Sequence, residues 1–308
     1  MQSKKLLFIY NPRAGKAQIR NKLSDIIEIF EQAGFVTTVR PTGKSGDAVS
    51  IVEERSKRYE LVVCSGGDGT LDEVVTGMIR SGFHTPIGYI PAGSTNDFGS
   101  SLKLPKNMAE AARIAVQGKD FSCDVGAFNQ DVFVYVAAFG LFSEVTYDTP
   151  QDIKNVLGHM AYLLEGVKSL SAIHSCRMKV TYGELQEDDE TVTKVIEDDF
   201  ILGMVTNSVS VGGFKRITGN NVVLDDGVFE VTLIKLPSNP LELNQLIAAL
   251  LNRDIDAKAM YYFKTMKVTF ESEESVAWTR DGEYGGSHRQ VIIKNMQRAI
   301  EIRVEEKE

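Results

Sequence analysis

Cysteine is scarce in this chain of 308 residues: Cys64, Cys123 and Cys176 lie far apart, in or beside apolar runs, with no CxxC or Cys/His spacing. That excludes a disulfide framework and a thiolate metal site, and fits buried reduced thiols in a cytoplasmic protein. The four histidines, His84, His159, His174 and His288, are scattered without ligand spacing, so zinc chemistry has no residues to work with. Long apolar runs are missing as well. The longest, Val132 to Phe142, is too short to cross a bilayer as a helix. The opening Met-Gln-Ser-Lys-Lys enters a strand without a signal-peptide pattern, so membrane contact is expected to be peripheral. An excess of positive charge is also lacking. A formal net charge of -8 argues against sequence-independent nucleic-acid binding, which needs a basic surface to neutralise phosphates. Three sequence signatures are absent: GxxxxGK[ST], GxGxxG and GxSxG. Their absence sets aside a P-loop enzyme, a dinucleotide fingerprint and a serine-nucleophile elbow. No internal repeat is present, and the only biased stretch is the acidic Glu187 to Glu190.

What remains is an ordinary globular composition, 43% hydrophobic and 25% charged, in a chain long enough for two domains. Charge divides unevenly. Residues 1–124 hold 16 Lys+Arg against 14 Asp+Glu, net +2, while 125–308 hold 18 against 28, net -10, so the first part is the better host for a polyphosphate. That part alternates strand and helix. Strands are predicted at Leu6 to Tyr10, Phe35 to Arg40, Leu61 to Cys64 and Ile87 to Ile90. Helices are predicted from Ile19 to a cap at Gly34, then at Asp47 to Tyr59, Leu71 to Ile79 and Met108 to Val116. Such alternation implies a doubly wound parallel sheet whose ligands bind beyond the carboxyl ends of its strands. After Asp124 strands dominate: Val132 to Phe139, Arg177 to Tyr182, Phe200 to Asn207, Val228 to Leu236, Lys267 to Phe270, Val291 to Lys294 and Ile300 to Val304. They predict an antiparallel sandwich or barrel-like second domain. Two helices, at 153–170 and Leu241 to Leu251, interrupt it, and their apolar stripes pack on the sheet or form a groove for an acyl chain. The expectation is an α/β fold with domains at 1–124 and 125–308.

The richest segment is Leu61 to Val75, an apolar strand running into Gly66-Gly67-Asp68-Gly69-Thr70 and then a helix. Glycines let main-chain N–H groups close on a polyanion at the positive end of the helix. A carboxylate beside that anion, Asp68, calls for a cation between them, so the loop points to a metal-nucleotide. A second segment, Pro91-Ala92-Gly93-Ser94-Thr95-Asn96-Asp97-Phe98, also follows a strand and opens a helix; Ser94, Thr95 and Asn96 can cap it or bond a phosphate. A third, Asn11-Pro12-Arg13-Ala14-Gly15-Lys16, offers Arg13 and Lys16 to phosphate oxygens, or leaves them solvated. Further on, Asp281-Gly282-Glu283-Tyr284-Gly285-Gly286 places two carboxylates one residue apart. One can take a proton from a hydroxyl while the other orients it, although Asp-Gly is also a strong hairpin signal. Leu224-Asp225-Asp226-Gly227 carries the same ambiguity.

In this order the segments resemble the diacylglycerol kinase catalytic-domain family, most of all its soluble bacterial members of Gram-positive type, and the resemblance spans nearly the whole chain. It implies a two-domain lipid kinase that moves the ATP γ-phosphate to the hydroxyl of diacylglycerol and yields phosphatidic acid. By that likeness, ATP contacts Asn11, Arg13, Gly66, Gly67, Gly69, Thr70, Gly93, Ser94, Thr95 and Asn96. Asp281 is the general base with Glu283 beside it, and Asp68, Asp97, Asp124 and Lys16 form the network around the catalytic Mg²⁺. Asp226, with Asp225 and nearby carbonyls, would hold a structural Mg²⁺. The chain departs from the family at Asp72, where the family usually has Asn, and at Ser94, where it usually has Thr. Two other readings share parts of the pattern: an NAD kinase on a soluble acceptor, and an inactive lipid- or nucleotide-binding regulator. Lys103, Lys106, Lys215 and Arg216 are candidates for local docking on a bilayer, and an edge strand of the second domain is a candidate for pairing two copies.

Overall fold

The computed structural model describes residues 4–15, 17–141, 164, 173–185, 191–211, 214–215, 222–252 and 259–306. Lys16, Arg216, the acidic stretch at 187–190 and, apart from Leu164, the helix expected at 153–170 lie outside them. The chain forms two compact units, one made of Met1–Asp124 with Arg298–Glu308, the other of Val125–Gln297.

In the first unit β1 (Lys4–Tyr10), β2 (Phe35–Pro41), β3 (Leu61–Gly66) and β4 (Ile87–Pro91) run parallel in the order β4-β3-β1-β2. The helices between and after them are α1 (Ile19–Gln32), α2 (Asp47–Arg55), α3 (Asp68–Ser81), α4 (Asp97–Ser101) and α5 (Met108–Gln117). Alternation along the strands sorts the core: Leu6, Phe8, Leu61 and Val63 pack with Ile19, Ile26 and Phe30 of α1 and Ala111, Ala112 and Ala115 of α5. Their neighbours Leu7, Ile9, Val62 and Cys64 point the other way and are equally buried, so both sheet faces are covered. Burial of each such side chain is worth about 1.5–3 kcal/mol. Burial also pushes the Cys64 thiol well up, which leaves it an inert core residue. The helix predicted to run to Tyr59 is α at Asp47–Arg55 and tightens to a 3₁₀ turn at Ser56–Arg58.

The second unit is antiparallel throughout. Its elements are β6 (Asp131–Phe133), β7 (Val136–Gly140), β8 (Cys176–Leu185), β9 (Thr191–Thr206), the two-residue pair β10 (Ser210–Val211) and β11 (Phe214–Lys215), β12 (Phe229–Lys235), α6 (Pro240–Asn252), β13 (Met260–Thr265) and β14 (Lys267–Arg280). Two strands have residues in both units, β5 (Lys119–Phe128) and β15 (Glu283–Val304). β12 pairs with β9 and β13, while β7 and β8 each pair with both β9 and β14 at different heights. Trp278 centres the core, with its ring 4.8 Å from that of Phe139, 5.0 Å from Phe270 and 5.4 Å from Phe128. The layers expected of a sandwich are hydrogen-bonded into one sheet here, because β9 and β14 are long enough to serve different partners along their lengths.

The strands differ from the sequence pattern in several places: β9 starts at Thr191 rather than Phe200, β5 and β13 have no counterpart among the predicted strands, and three boundaries have a visible cause. The run Val132 to Phe139 breaks into β6 and β7, because the N–H groups of Val134 and Tyr135 turn to a carboxylate, Asp281, rather than to a ladder partner. Lys267 to Phe270 continues as β14 to Arg280, across register shifts after Glu271 and Ala277. Val291 to Lys294 and Ile300 to Val304 form one strand; the polar stretch between them hides its continuity, and Arg298 takes a positive φ of 53° within it.

Candidate functional site

Three loops of the first unit meet at the carboxyl edge of the parallel sheet. The N–H of Asn11, just past β1, donates to Ser65 O at 2.9 Å, and that of Ala92, just past β4, donates to Gly66 O at 2.7 Å. Two glycines make the approach possible. Gly15 has φ +52°, and a Cβ there would lie 2.4 Å from Ala92 O. A Cβ on Gly93 would lie 2.6 Å from Gly67 Cα. The turns after β3 and β4 therefore touch backbone to backbone and form a rim along this edge.

The helix after β3 begins earlier than its apolar pattern implies. Gly67 is its N-cap and α3 starts at Asp68, so Gly69 and Thr70 belong to its first turn. The N–H groups of Thr70 and Leu71 donate to Gly67 O. The ladder starts there, and the turn ahead of it is the part of a helix that receives an anion. Asp68 is tied across to the next loop: its Oδ2 accepts the N–H of Asp97 at 2.9 Å. The cap expected from Ser94, Thr95 or Asn96 is thus supplied by Asp68. Ser94 and Thr95 are exposed, and Asn96, in the left-handed region at φ 55°, bonds back to Gly93 through Oδ1 to N–H (2.9 Å) and Nδ2 to O (2.8 Å). Asn11 Oδ1 likewise accepts from the N–H of Arg13, whose side chain is exposed.

Two residues that sequence reasoning missed hold this region together. Tyr89 is 1% exposed under the loops, and its hydroxyl reaches Gly66 O at 3.2 Å and Asn96 Oδ1 at 3.3 Å. Burial, with Asp68, Cys64 and Asp97 nearby, raises its phenol well above the ordinary value, so it stays protonated. Glu73 on α3, beside Asp72, caps α2 from outside, accepting from the N–H groups of Gly46 at 2.8 Å and Ala48 at 3.0 Å. A periodic apolar pattern carries no trace of either. Asp124 is fully buried on β5 and its Oδ1 accepts the N–H of Arg298 at 2.8 Å.

In the second unit Asp281 and Gly282, at φ 48° and 85°, form the two-residue turn between β14 and β15, with Arg280 opposite Glu283. The hairpin reading is correct, and the turn also carries a buried carboxylate. Asp281 is 4% exposed; Oδ2 accepts the N–H of Val134 at 2.6 Å, and Oδ1 accepts those of Tyr135 and Val136, each at 2.9 Å. Glu283 is exposed. In the same unit Asp226 Oδ1 accepts the N–H of Val228 at 3.2 Å, Asp225 O accepts from Gln297 Nε2 at 3.3 Å, and Lys264 Nζ lies 3.8 Å from Asp226 and 2.9 Å from the buried Glu230. Burial pushes the Glu230 carboxyl up to about 7 against the pull of Lys264. Among the described residues no three Asp, Glu, His or Cys side chains gather to hold a metal ion. A magnesium ion would therefore draw on one carboxylate, loop carbonyls and water at Asp226, and on Asp68 with nucleotide oxygens in the first unit.

Residues 5–128 match the family described as "Diacylglycerol kinase catalytic domain". The chain is 31% identical over 285 residues to a Diacylglycerol kinase of Bacillus subtilis (strain 168), covering 92% of this chain and 91% of that one. It is 33% identical over 286 residues to a Diacylglycerol kinase of Staphylococcus carnosus (strain TM300), covering 92% and 90%. A crystal structure of a diacylglycerol kinase from Bacillus anthracis str. Sterne superposes with a TM-score of 0.74 at 25% identity, over 99% of this chain and 98% of that one.

Gly93→Ala, which pushes a methyl group into Gly67, is expected to weaken binding of a nucleoside triphosphate at least about tenfold while the variant still folds, measured by fluorescent-nucleotide titration. A second outcome concerns Glu230. The folded chain holds its proton up to about pH 7 and the unfolded chain only to about 4.5, so this contribution to stability is full below pH 4.5 and lost as pH rises through 7. Urea unfolding should show stability falling across that window by something on the order of 2 kcal/mol, and Glu230→Gln should flatten the fall.

Proposed function

The chain belongs to the diacylglycerol kinase family, and from that premise we propose that it transfers the γ-phosphoryl group of ATP to the free hydroxyl of diacylglycerol, giving phosphatidic acid. The observation that carries this reading is the glycine-lined rim where three loops meet at the carboxyl edge of the parallel sheet, so close that a Cβ on Gly15 or Gly93 would strike the neighbouring backbone. Phosphoryl transfer asks mainly for positioning and neutralisation of charge, and the residues present suit that demand. The Asn11, Gly66 to Thr70 and Gly93 to Asn96 loops hold the phosphates, with Arg13 at the rim. Asp68 and Asp97 place negative charge beside them, with Asp124 as a further member of the acidic set and Lys16 as its cation. Mg²⁺ bound with the nucleotide would supply the positive charge that lets phosphates and carboxylates share one place.

Asp281 receives the proton of the attacking hydroxyl. Its three bonds from consecutive N–H groups together fix the direction of the carboxylate. Glu283, exposed one residue beyond the turn, orients the hydroxyl. Asp226, with carbonyls of its loop, holds a second Mg²⁺ of structural kind. The lipid is met at a membrane surface from the cytoplasmic side; no described helix is long and apolar enough to cross a membrane.

Labelled phosphate from ATP, offered to a panel of diacylglycerol, ceramide, sphingosine and NAD in mixed micelles with Mg²⁺, should appear on diacylglycerol. Transfer to NAD alone, or to nothing, overturns the assignment. Asp281→Asn and Asp68→Asn should each lower turnover by about 10²–10⁴-fold, and wild-type turnover in either removes its proposed role. EDTA should lower the melting temperature of the wild type by a few degrees, about what 1 kcal/mol is worth in a chain of this size, and leave Asp226→Ala unmoved; an EDTA-insensitive wild type rules out the structural ion.

A further inference from the structure

We propose that Tyr89 is a positioning residue for nucleotide binding: from beneath the phosphate rim its hydroxyl fastens the Gly66–Gly67 turn to the Gly93–Asn96 turn. The inference rests on the kinase reading above and assigns a part of that site to a residue outside its rim. Tyr89 stands on β4 opposite Cys64 of β3, two residues before both strands end, and its ring lies against α4, where a Cβ on Gly99 would be 3.2 Å from Cε1. Its neighbours on the strand, Ile87 and Ile90, are aliphatic and just as buried. Burying a phenol is costly unless its hydroxyl is used.

The hydroxyl is used on the two turns that make the rim. It shares its hydrogen between Gly66 O at 3.2 Å and Asn96 Oδ1 at 3.3 Å, two groups on separate loops. Asn96 passes the connection on, because the same Oδ1 accepts the N–H of Gly93, and Nδ2 donates to Gly93 O. One buried hydroxyl thereby sets the spacing between Gly66–Gly67 and Gly93, where a Cβ on Gly93 would come within 2.6 Å of Gly67 Cα. Both acceptors keep another donor without it. Gly66 O has the N–H of Ala92 at 2.7 Å and Asn96 Oδ1 has that of Gly93, so deleting the hydroxyl strands no buried acceptor. The loss should fall on loop spacing rather than on folding.

The test is Tyr89→Phe in the full chain, with ATP and lipid acceptor varied separately and nucleotide Kd read by fluorescence. We expect KM and Kd for ATP to rise about 3- to 10-fold, with KM for the acceptor unchanged and the melting temperature within a few degrees of wild type. Asn96→Ala should raise the same two constants, and the double variant should be no worse than the weaker single one, since both cut one chain of contacts. Wild-type KM and Kd for ATP in Tyr89→Phe, or effects of the two substitutions that simply add, overturn the inference. A wild-type chain that binds no ATP overturns the kinase reading, and this inference with it; a wild-type chain that binds ATP while Tyr89→Phe binds it equally well overturns this inference alone.

Discussion

The meeting of Gly67 with Gly93 is the constraint on which the architecture at the carboxyl edge of the parallel sheet depends. Two loops from adjacent parallel strands touch without side chains between them, so the rim is made of peptide groups whose N–H dipoles are fixed by the fold. The order β4-β3-β1-β2 brings the turns after β1, β3 and β4 to one edge, and the crossovers of this parallel sheet leave its carboxyl ends open to a ligand.

Several carboxylates among the described residues hold backbone N–H groups. Asp68 holds the start of α4, Glu73 the start of α2, Asp124 the bend at Arg298, and Asp281 three consecutive peptides between β6 and β7. Asp47 likewise closes its own loop on the N–H groups of Gly43 and Lys44, which lowers its pKa. A hydrogen bond to a charged group contributes about 1.5–3 kcal/mol where it is shielded from water. Peptide donors are fixed in the chain and cannot swing away as a lysine can, so these contacts hold loop shape.

Much of the first unit was legible because its signals are local. Leu6 and Phe8 alternate with Leu7 and Ile9, Ile19, Ile26 and Phe30 recur at helical spacing, and Gly34 ends α1 with a positive φ, all within a few residues of the feature they predict. The glycine turns were legible for the same reason. The second unit was read less well. Asn295 to Arg298 looks like a loop in sequence and is the middle of β15, and Val134–Tyr135 looks like mid-strand and is a break, because in each case the partner that decides lies far away in the chain.

Sequence by itself determined the α/β order, the parallel sheet, the family and the set of glycine and acidic residues at the strand ends, since periodicity, composition and motif order are properties of neighbours along the chain. Only the tertiary structure decided what each acidic side chain holds, that Asp68 and not Ser94 or Thr95 caps α4, and that Tyr89 and Glu73 belong with the site. Those outcomes are hydrogen bonds across as many as 174 residues of separation, and which donors meet which acceptors over such distances is settled by packing, to which local pattern is blind.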